Sequence, residues 1–351
     1  MKKIIIIFSA LVFSFTAIAQ SEAGQESYAV LNLYNSAQMT ARGMNFIPRF
    51  LKDSPSALSN PATLDSSLCG MFSLTYTDIF AGSYQGALAY SHSFKKLGNL
   101  GFGLQYIDYG SFSRTLANGD DAGEFSANDF MLNIAWGMEI EKDIYFGVNF
   151  KPLFSSYESY SSFSVAFDVS AMWASPSKYW QAGFIIKNIG RQIKSFANQR
   201  DTLPLDIQIG VSKQLKHAPL TFYIVADNLQ KWDIRENDAL NPRTTVEIDG
   251  TVKEEKKFSA FMDKTFRHLK FACDLKANRF IDLSLGYSYR QHKEMAVDDA
   301  FSMAGFSYGI TVHYKKFTFN YARNEYHNYG SPNYITLSYT FDYAKKNQST
   351  L

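Results

Sequence analysis

The stretch ITLSYTFDY, residues 335–343, decides the fold. Ile335, Leu337, Tyr339, Phe341 and Tyr343 take the odd positions, with Thr336, Ser338, Thr340 and Asp342 between them. A period of two places the two sets on opposite faces of a β-strand. The pattern recurs along the chain. MFSLTYTDIF sets Phe72, Leu74 and Tyr76 against Ser73, Thr75 and Thr77; LGFGLQYIDYG sets Leu100, Phe102, Leu104 and Tyr106 against Gly101, Gly103 and Gln105. DFMLNIAWGM, FSVAFDVSAMWAS and KFTFNYARNEY repeat it around Ile134, Phe167 and Phe319. In each case one face is large and apolar and the other small or polar.

Such runs predict strands over 71–79, 82–94, 98–110, 127–140, 143–156, 160–174, 178–189, 204–216, 218–229, 267–277, 280–292, 302–314, 316–327 and 332–344. That is about fourteen, an even number, and most have the ~9–11 residues that a tilted strand needs to cross a bilayer. Connections alternate in length. KKLG, EKD, SPSK, KHAP, AN and a lone Lys315 are tight, whereas most of the others are long: 111–126, 190–203, 230–266 and 293–301. In an up-and-down barrel alternate connections share an end, so this parity predicts short turns at one mouth and extended loops at the other. A soluble β-sandwich with Greek-key crossings would break it. The odd face is then expected to meet lipid and the Thr, Ser, Gly, Asn and Gln face a polar lumen, which reconciles 22 Tyr and 30 Phe with a mean hydropathy of -0.20. Tyr106, Tyr109, Tyr157, Tyr160, Tyr326 and Tyr343 are expected in interfacial girdles.

The N-terminus reads as a secretory signal peptide over 1–19. Lys2 and Lys3 precede an apolar run from Ile4 to Ile18, and the small residues around Ala19 place cleavage between Ala19 and Gln20. Removing it leaves 33 basic against 33 acidic residues, a balance with no footprint for nucleic acid. No later apolar run is long enough for a spanning helix, so only a closed barrel satisfies every backbone group in a bilayer. The organisation is a leader (1–19), an N-terminal plug or cap (20–70), an outer-membrane antiparallel β-barrel (71–344) and a tail (345–351). Within 230–266, Phe258, Phe261, Met262 and Phe266 have helical spacing.

Chemistry is sparse. The six histidines are scattered without metal-ligand spacing, and neither a G-x-S-x-G elbow nor a P-loop is present. GDDAGE, with Asp120, Asp121 and Glu124, has the oxygen donors that calcium takes, although a solvated acidic loop is the simpler reading. Cys69 and Cys273 allow one disulfide or two inert thiols. No catalytic residue, cofactor or metal is expected.

Asn60-Pro61-Ala62, in SALSNPATL ahead of the first strand, resembles the NPA motif of the FadL-like channels for hydrophobic compounds, which implies a fourteen-stranded barrel with an N-terminal plug. Beyond this, LNLYNSAQMTARG, GLQYIDYGSF, FKPLFSSYESYSSF, IIKNIGRQIKSF, LPLDIQIGVSKQLKHAPLTF, DNLQKWD and DKTFRHLKFACDL together resemble the PorQ family of the Bacteroidetes-type type IX secretion system, over nearly all of the mature chain. That resemblance implies a docking barrel that anchors a PorZ-like surface protein in an attachment complex with a PorU-like sortase and a PorV-like barrel. The partner surface is then expected on loops 111–126, 190–203 and 230–266. The FadL-like resemblance implies instead a diffusion channel. Two departures stand out: Ala41-Arg42-Gly43-Met44, where relatives carry paired glycines, and the tail after the last strand, where a barrel-assembly signal ends on an aromatic residue.

Overall fold

The computed structural model describes residues 28–80, 82–196, 200–235, 244–246, 252–254, 257–296, 301–327 and 330–341. The leader with its cleavage site at Ala19 and Gln20, and the tail, lie outside them. The first half of the barrel comprises β1 (Met71–Phe80), β2 (Ser83–Phe94), β3 (Gly98–Thr115), β4 (Asp121–Glu141), β5 (Ile144–Tyr157), β6 (Tyr160–Ala174) and β7 (Trp180–Lys194). The chain continues through β8 (Asp206–Gln214) and β9 (Leu220–Ala226), then a small hairpin of β10 (Thr244–Val246) and β11 (Val252–Glu254). It resumes with β12 (Leu269–Lys276), β13 (Ile281–Ser288), β14 (Phe306–Tyr314), β15 (Phe317–Asn324) and β16 (Asn333–Thr340).

Fourteen of these strands close into one antiparallel barrel, each beside its sequence neighbour, with β9 joined to β12 across the longest connection. The stretch 335–343 supplies the closing strand. Leu337 lies opposite Leu74 of β1, and Ser338 and Thr336 meet Ser73 and Thr75 through hydroxyl contacts of 2.8 Å. The sheet therefore has no edge, which is the condition for strands in lipid.

Alternation resolves the two faces. Leu74 is 48% exposed, while its neighbour Ser73 is 0%. Ile335, Leu337, Phe102, Phe167 and Ile209 face outward in the same manner, giving the barrel an apolar exterior of the kind that lipid-facing strands have. A charge there is expensive. Leu337→Arg, mid-strand on the lipid face, is expected to cost about 2–4 kcal/mol. Urea-dependent folding into vesicles should show that loss, whereas Ile335→Leu should leave the midpoint in place.

Strand assignments need three corrections. The segment predicted as the end of the 280–292 strand is a helix, Tyr289–Met295, because Ser288 caps it by accepting from the Gln291 amide at 3.4 Å and YRQHKEM carries no alternation. Loop 111–126 is mostly sheet: β3 and β4 run on as a hairpin past a bulge between Asp108 and Ser111, with Phe112 stacked on Phe125 at 5.4 Å. The last strand stops at Thr340, although the Phe341 amide still donates to the Gly70 carbonyl at 2.9 Å. The aromatic girdle is also corrected. Tyr160 and Tyr326 are exposed, but Tyr109 and Tyr157 point inward and both donate to Asp129, at 2.7 and 3.0 Å. Tyr343 lies outside the described residues.

Candidate functional site

Much of the polar inward face packs against protein. Residues 28–70 run through the lumen as short pieces: a 3-10 turn over Ala29–Asn32, helix α1 (Ala37–Ala41), helix α2 (Ser54–Ser59), and 3-10 turns over Pro61–Thr63 and Ser66–Leu68. So irregular a segment leaves backbone groups unpaired, and each must find a partner when buried. The strand side chains provide them. Thr336 Oγ1 accepts from the Ala37 amide at 2.9 Å, Ser170 Oγ from Ala62 at 2.8 Å, and Gln181 Oε1 from Phe50 at 3.0 Å. Conversely, Gln85, Asn149, Lys187 and Ser212 donate to the carbonyls of Tyr34, Leu58, Asn45 and Pro48, at 2.8–3.1 Å.

Local sequence shapes the segment. Ser36 caps α1 by accepting from the Met39 amide at 3.2 Å, and Asp53 caps α2 by accepting from the Ser56 amide at 3.2 Å. The Ser36 hydroxyl also donates to Asp53 at 2.6 Å, so the two helix starts are tied together. The departure at Ala41-Arg42-Gly43-Met44 is harmless. Only Gly43 takes a positive φ, 61°, as the residue that ends α1, while Met44 packs fully buried beside Met39, Phe46 and Ile47.

The NPA motif is a seat. Asn60 Nδ2 donates to the Ile47 carbonyl at 2.9 Å and folds the segment on itself. Pro61 and Ala62 press on β4 and β5 where Gly137 and Gly147 stand: a Cβ at Gly147 would lie 2.2 Å from the Pro61 carbonyl carbon, and one at Gly137 2.2 Å from the Pro61 carbonyl oxygen. On the opposite wall Arg42 forms a buried ion pair with Asp274 at 2.7 Å, and Tyr223 and Ser284 donate to the same carboxylate at 2.6 and 2.7 Å. Lys151 pairs with Asp168 at 2.6 Å and Lys270 with Asp227 at 2.8 Å. Buried charges are thus partnered around the lumen, as the cost of desolvation demands.

Toward the long-loop mouth the inward face changes character. Ile107, Met131, Leu153 and Ala166 form an apolar cluster, covered by Tyr28, Val30 and Leu31 from the segment and by Leu203 from the 190–203 loop. Phe196 of that loop stacks on Tyr157 at 4.8 Å and on Tyr28 at 6.0 Å. Within the segment expected as a loop over 190–203, residues up to Lys194 continue β7, and Phe196 and Leu203 turn inward. Alternation alone gave no sign of the cluster, because Ile107, Met131 and Leu153 sit in strands whose outward positions are also apolar.

Comparison with known proteins finds no matching family model and no matching curated protein. Solved structures do match. The toluene transporter TbuX of Ralstonia pickettii aligns over 89% of this chain and 99% of its own, at 11% identity and a TM-score of 0.50. The toluene transporter TodX of P. putida aligns over 86% and 98%, at 12% identity and 0.53, and the TodX deltaS2S3 mutant monoaromatic hydrocarbon channel over 87% and 99%, at 12% and 0.55. The fold is FadL-like. The resemblance to the PorQ family gains no support from these comparisons.

In this FadL-like barrel the helical end of the longest connection is tied to its neighbours. Helix α3 (Lys257–Arg267) follows the amphipathic spacing of Phe258, Phe261 and Phe266. Arg267 pairs with Asp263 at 2.9 Å, and Tyr289 of helix α4 (Tyr289–Met295) donates to the same carboxylate at 3.0 Å. Lys264 holds Asp233 at 2.7 Å. Burial tends to raise the Asp233 pKa, but hydrogen bonds from Lys264 and Arg235 outweigh it and hold the carboxyl at about 2. A depressed pKa contributes stability that is complete above the ordinary value of 3.8 and is lost as pH falls through about 2. The hydrogen-exchange protection factors of α3, taken relative to the intrinsic exchange rate at each pH, are therefore expected to hold at pH 4 and to fall near pH 2; in Asp233→Asn that step should vanish. The contribution is modest, because the carboxylate is partly exposed.

Among the described residues no His, Cys, Asp or Glu group is arranged for a metal. Asp120 and Asp121 instead turn back on their own loop, with the Asp120 amide donating to Asn118 and the Gly123 amide to Asp121, while Glu124 accepts from Ser111. No disulfide joins Cys69 to Cys273.

Proposed function

We propose that this protein is an outer-membrane channel for small hydrophobic compounds, with residues 28–70 as its plug. The observation that carries the reading is the apolar cluster of Ile107, Met131, Leu153 and Ala166 on the inward wall at the long-loop end. TbuX and TodX, described as toluene transporters, share the fold, and a fold alone does not carry a substrate. The cluster adds chemistry to that likeness. A small apolar solute would replace Tyr28, Val30 and Leu31 against these side chains, gaining about 25 cal/mol for each Å² it buries. No catalytic residue is needed. Toluene titrated into the purified barrel should protect the cluster, and Met131→Gln with Leu153→Gln should weaken binding at least ten-fold while the β-sheet circular dichroism is kept. Absence of binding to the unaltered protein would sink the reading.

A second reading is a docking barrel of a type IX attachment complex. It is favoured by aromatic side chains left uncovered at the long-loop end: Trp232 packs on Phe261 at 6.0 Å, and both are 52% exposed, with Phe258 at 75% and Phe301 at 90%. Large exposed apolar side chains gathered at one mouth are the raw material of an interaction site. Affinity purification from gently solubilised outer membranes should then recover a PorZ-like surface protein with PorU-like and PorV-like companions. Recovery of the barrel alone would count against docking.

A further inference from the structure

The short-turn mouth holds a feature that neither reading uses. A cavity of about 620 Å³ opens there between the luminal segment and the turns after β12 and β14. Its volume falls within the ~300–1,000 Å³ of small-molecule sites. Six cationic side chains line it: Arg49 and Lys52 from the segment, Lys276 and Arg279 from one turn, and Lys315 and Lys316 from the other. Arg42 also reaches the wall but is committed to Asp274. Among the described residues the lining holds, apart from Asp274, one carboxylate, Asp282, which accepts from His313 Nε2 at 3.0 Å. The excess of positive charge is therefore large.

Two details show that Arg279, Lys315 and Arg49 keep donors to offer. Arg279 lies over the Phe280 ring at 4.4 Å and Lys315 over the Tyr314 ring at 5.3 Å, and such contacts engage a ring face without consuming N–H donors. Arg49 donates through Nη2 to Gln214, yet its Nη1 is buried with no partner, an unsatisfied donor of the kind that calls for a ligand or an ion. Phe50, Leu51 and Met71 supply an apolar patch in the same wall.

We propose that this mouth is a binding site for phosphate-bearing ligands. Several cations around one cavity repel one another, and a phosphate offsets them with anionic acceptor oxygens, a monoester bringing about −1.5 to −2 charges and a lipid diester about −1. Low-dielectric walls focus the field on the opening. The apolar patch takes the body of an ester. Short turns of such barrels face the periplasm, where the group is either the headgroup of an inner-leaflet phospholipid or a soluble phosphate ester.

The test is calorimetric titration of pyrophosphate into the full-length barrel in uncharged detergent at low salt. Binding is expected, at least ten-fold weaker in Lys276→Gln/Arg279→Gln/Lys315→Gln, whose three substituted side chains are exposed, and tighter in Asp282→Asn, a change in the opposite direction that misfolding would not produce. Native mass spectrometry from phosphatidylglycerol and phosphatidylcholine nanodiscs separates the sources. Phosphatidylglycerol retained by the unaltered protein and lost from the triple variant identifies a headgroup site. Pyrophosphate binding without retained lipid identifies a soluble ester. If pyrophosphate does not bind, or binds the triple variant equally well, the proposal is overturned. Toluene binding at the other mouth is a separate readout, so the two proposals fail independently.

Discussion

Gly147→Val is expected to expel the Pro61–Thr63 turn from its seat and open the barrel to ions. The wall gives no room: the added Cβ would lie 2.2 Å from the Pro61 carbonyl carbon and 2.3 Å from the Ala62 nitrogen, and both are backbone atoms that no rotamer change can move. Overpacking usually costs about 1–3 kcal/mol when side chains yield. Here the strand or the turn must shift instead, breaking the hydrogen bond from the Ala62 amide to Ser170. The barrel itself is held by backbone ladders on both sides of β5 and should persist. Planar-bilayer conductance should rise from a closed baseline to open-pore steps. Protease added from the short-turn side should cut between α2 and β1. Unchanged conductance with intact protection would show that the segment is not held at this seat.

Arg42→Ala is the second large effect. It strips the guanidinium from a buried carboxylate, and breaking such a pair from one side costs about 3–5 kcal/mol, because the remaining charge stays desolvated. Tyr223 and Ser284 still donate to Asp274, which places the expectation at the lower end of that range. The double variant Arg42→Met/Asp274→Asn should recover most of the loss, since it leaves no uncompensated charge, and the new amide accepts from one of the two hydroxyls through its oxygen while its N–H donates to the other. Urea midpoints of the two variants decide the matter. Equal destabilisation would mean that Arg42 acts through packing over the Tyr223 ring, 5.6 Å away, and not through its charge.

Most of the barrel was legible because its code is local. A strand that meets lipid on one side and a polar interior on the other must alternate, and the parity of short and long connections follows from up-and-down topology. Failures came where another local signal competed. Ser288 and the helix-forming run after it overrode the expected strand end, and Tyr109 and Tyr157 read as girdle residues because a tyrosine at a strand end suits an interface and a luminal carboxylate equally. Asp129, their partner, lies twenty and twenty-eight residues away, beyond any spacing argument. Asn60-Pro61-Ala62 was visible as a motif, but Gly137 and Gly147 read only as small positions on the polar face.

What the sequence determined by itself is the set of barrel strands and their two faces, since period and length depend only on neighbours along the chain. What the inner face meets was decided by tertiary structure. The same Thr, Ser, Asn and Gln positions would line a water-filled pore equally well. Residues 28–70 become their partner only because barrel closure brings Thr336, Ser170 and Gln181 within hydrogen-bond reach of backbone amides far away in the chain. The apolar cluster at one mouth and the cationic cavity at the other arise in the same way, from side chains of many strands converging on a space that exists only once the sheet has closed.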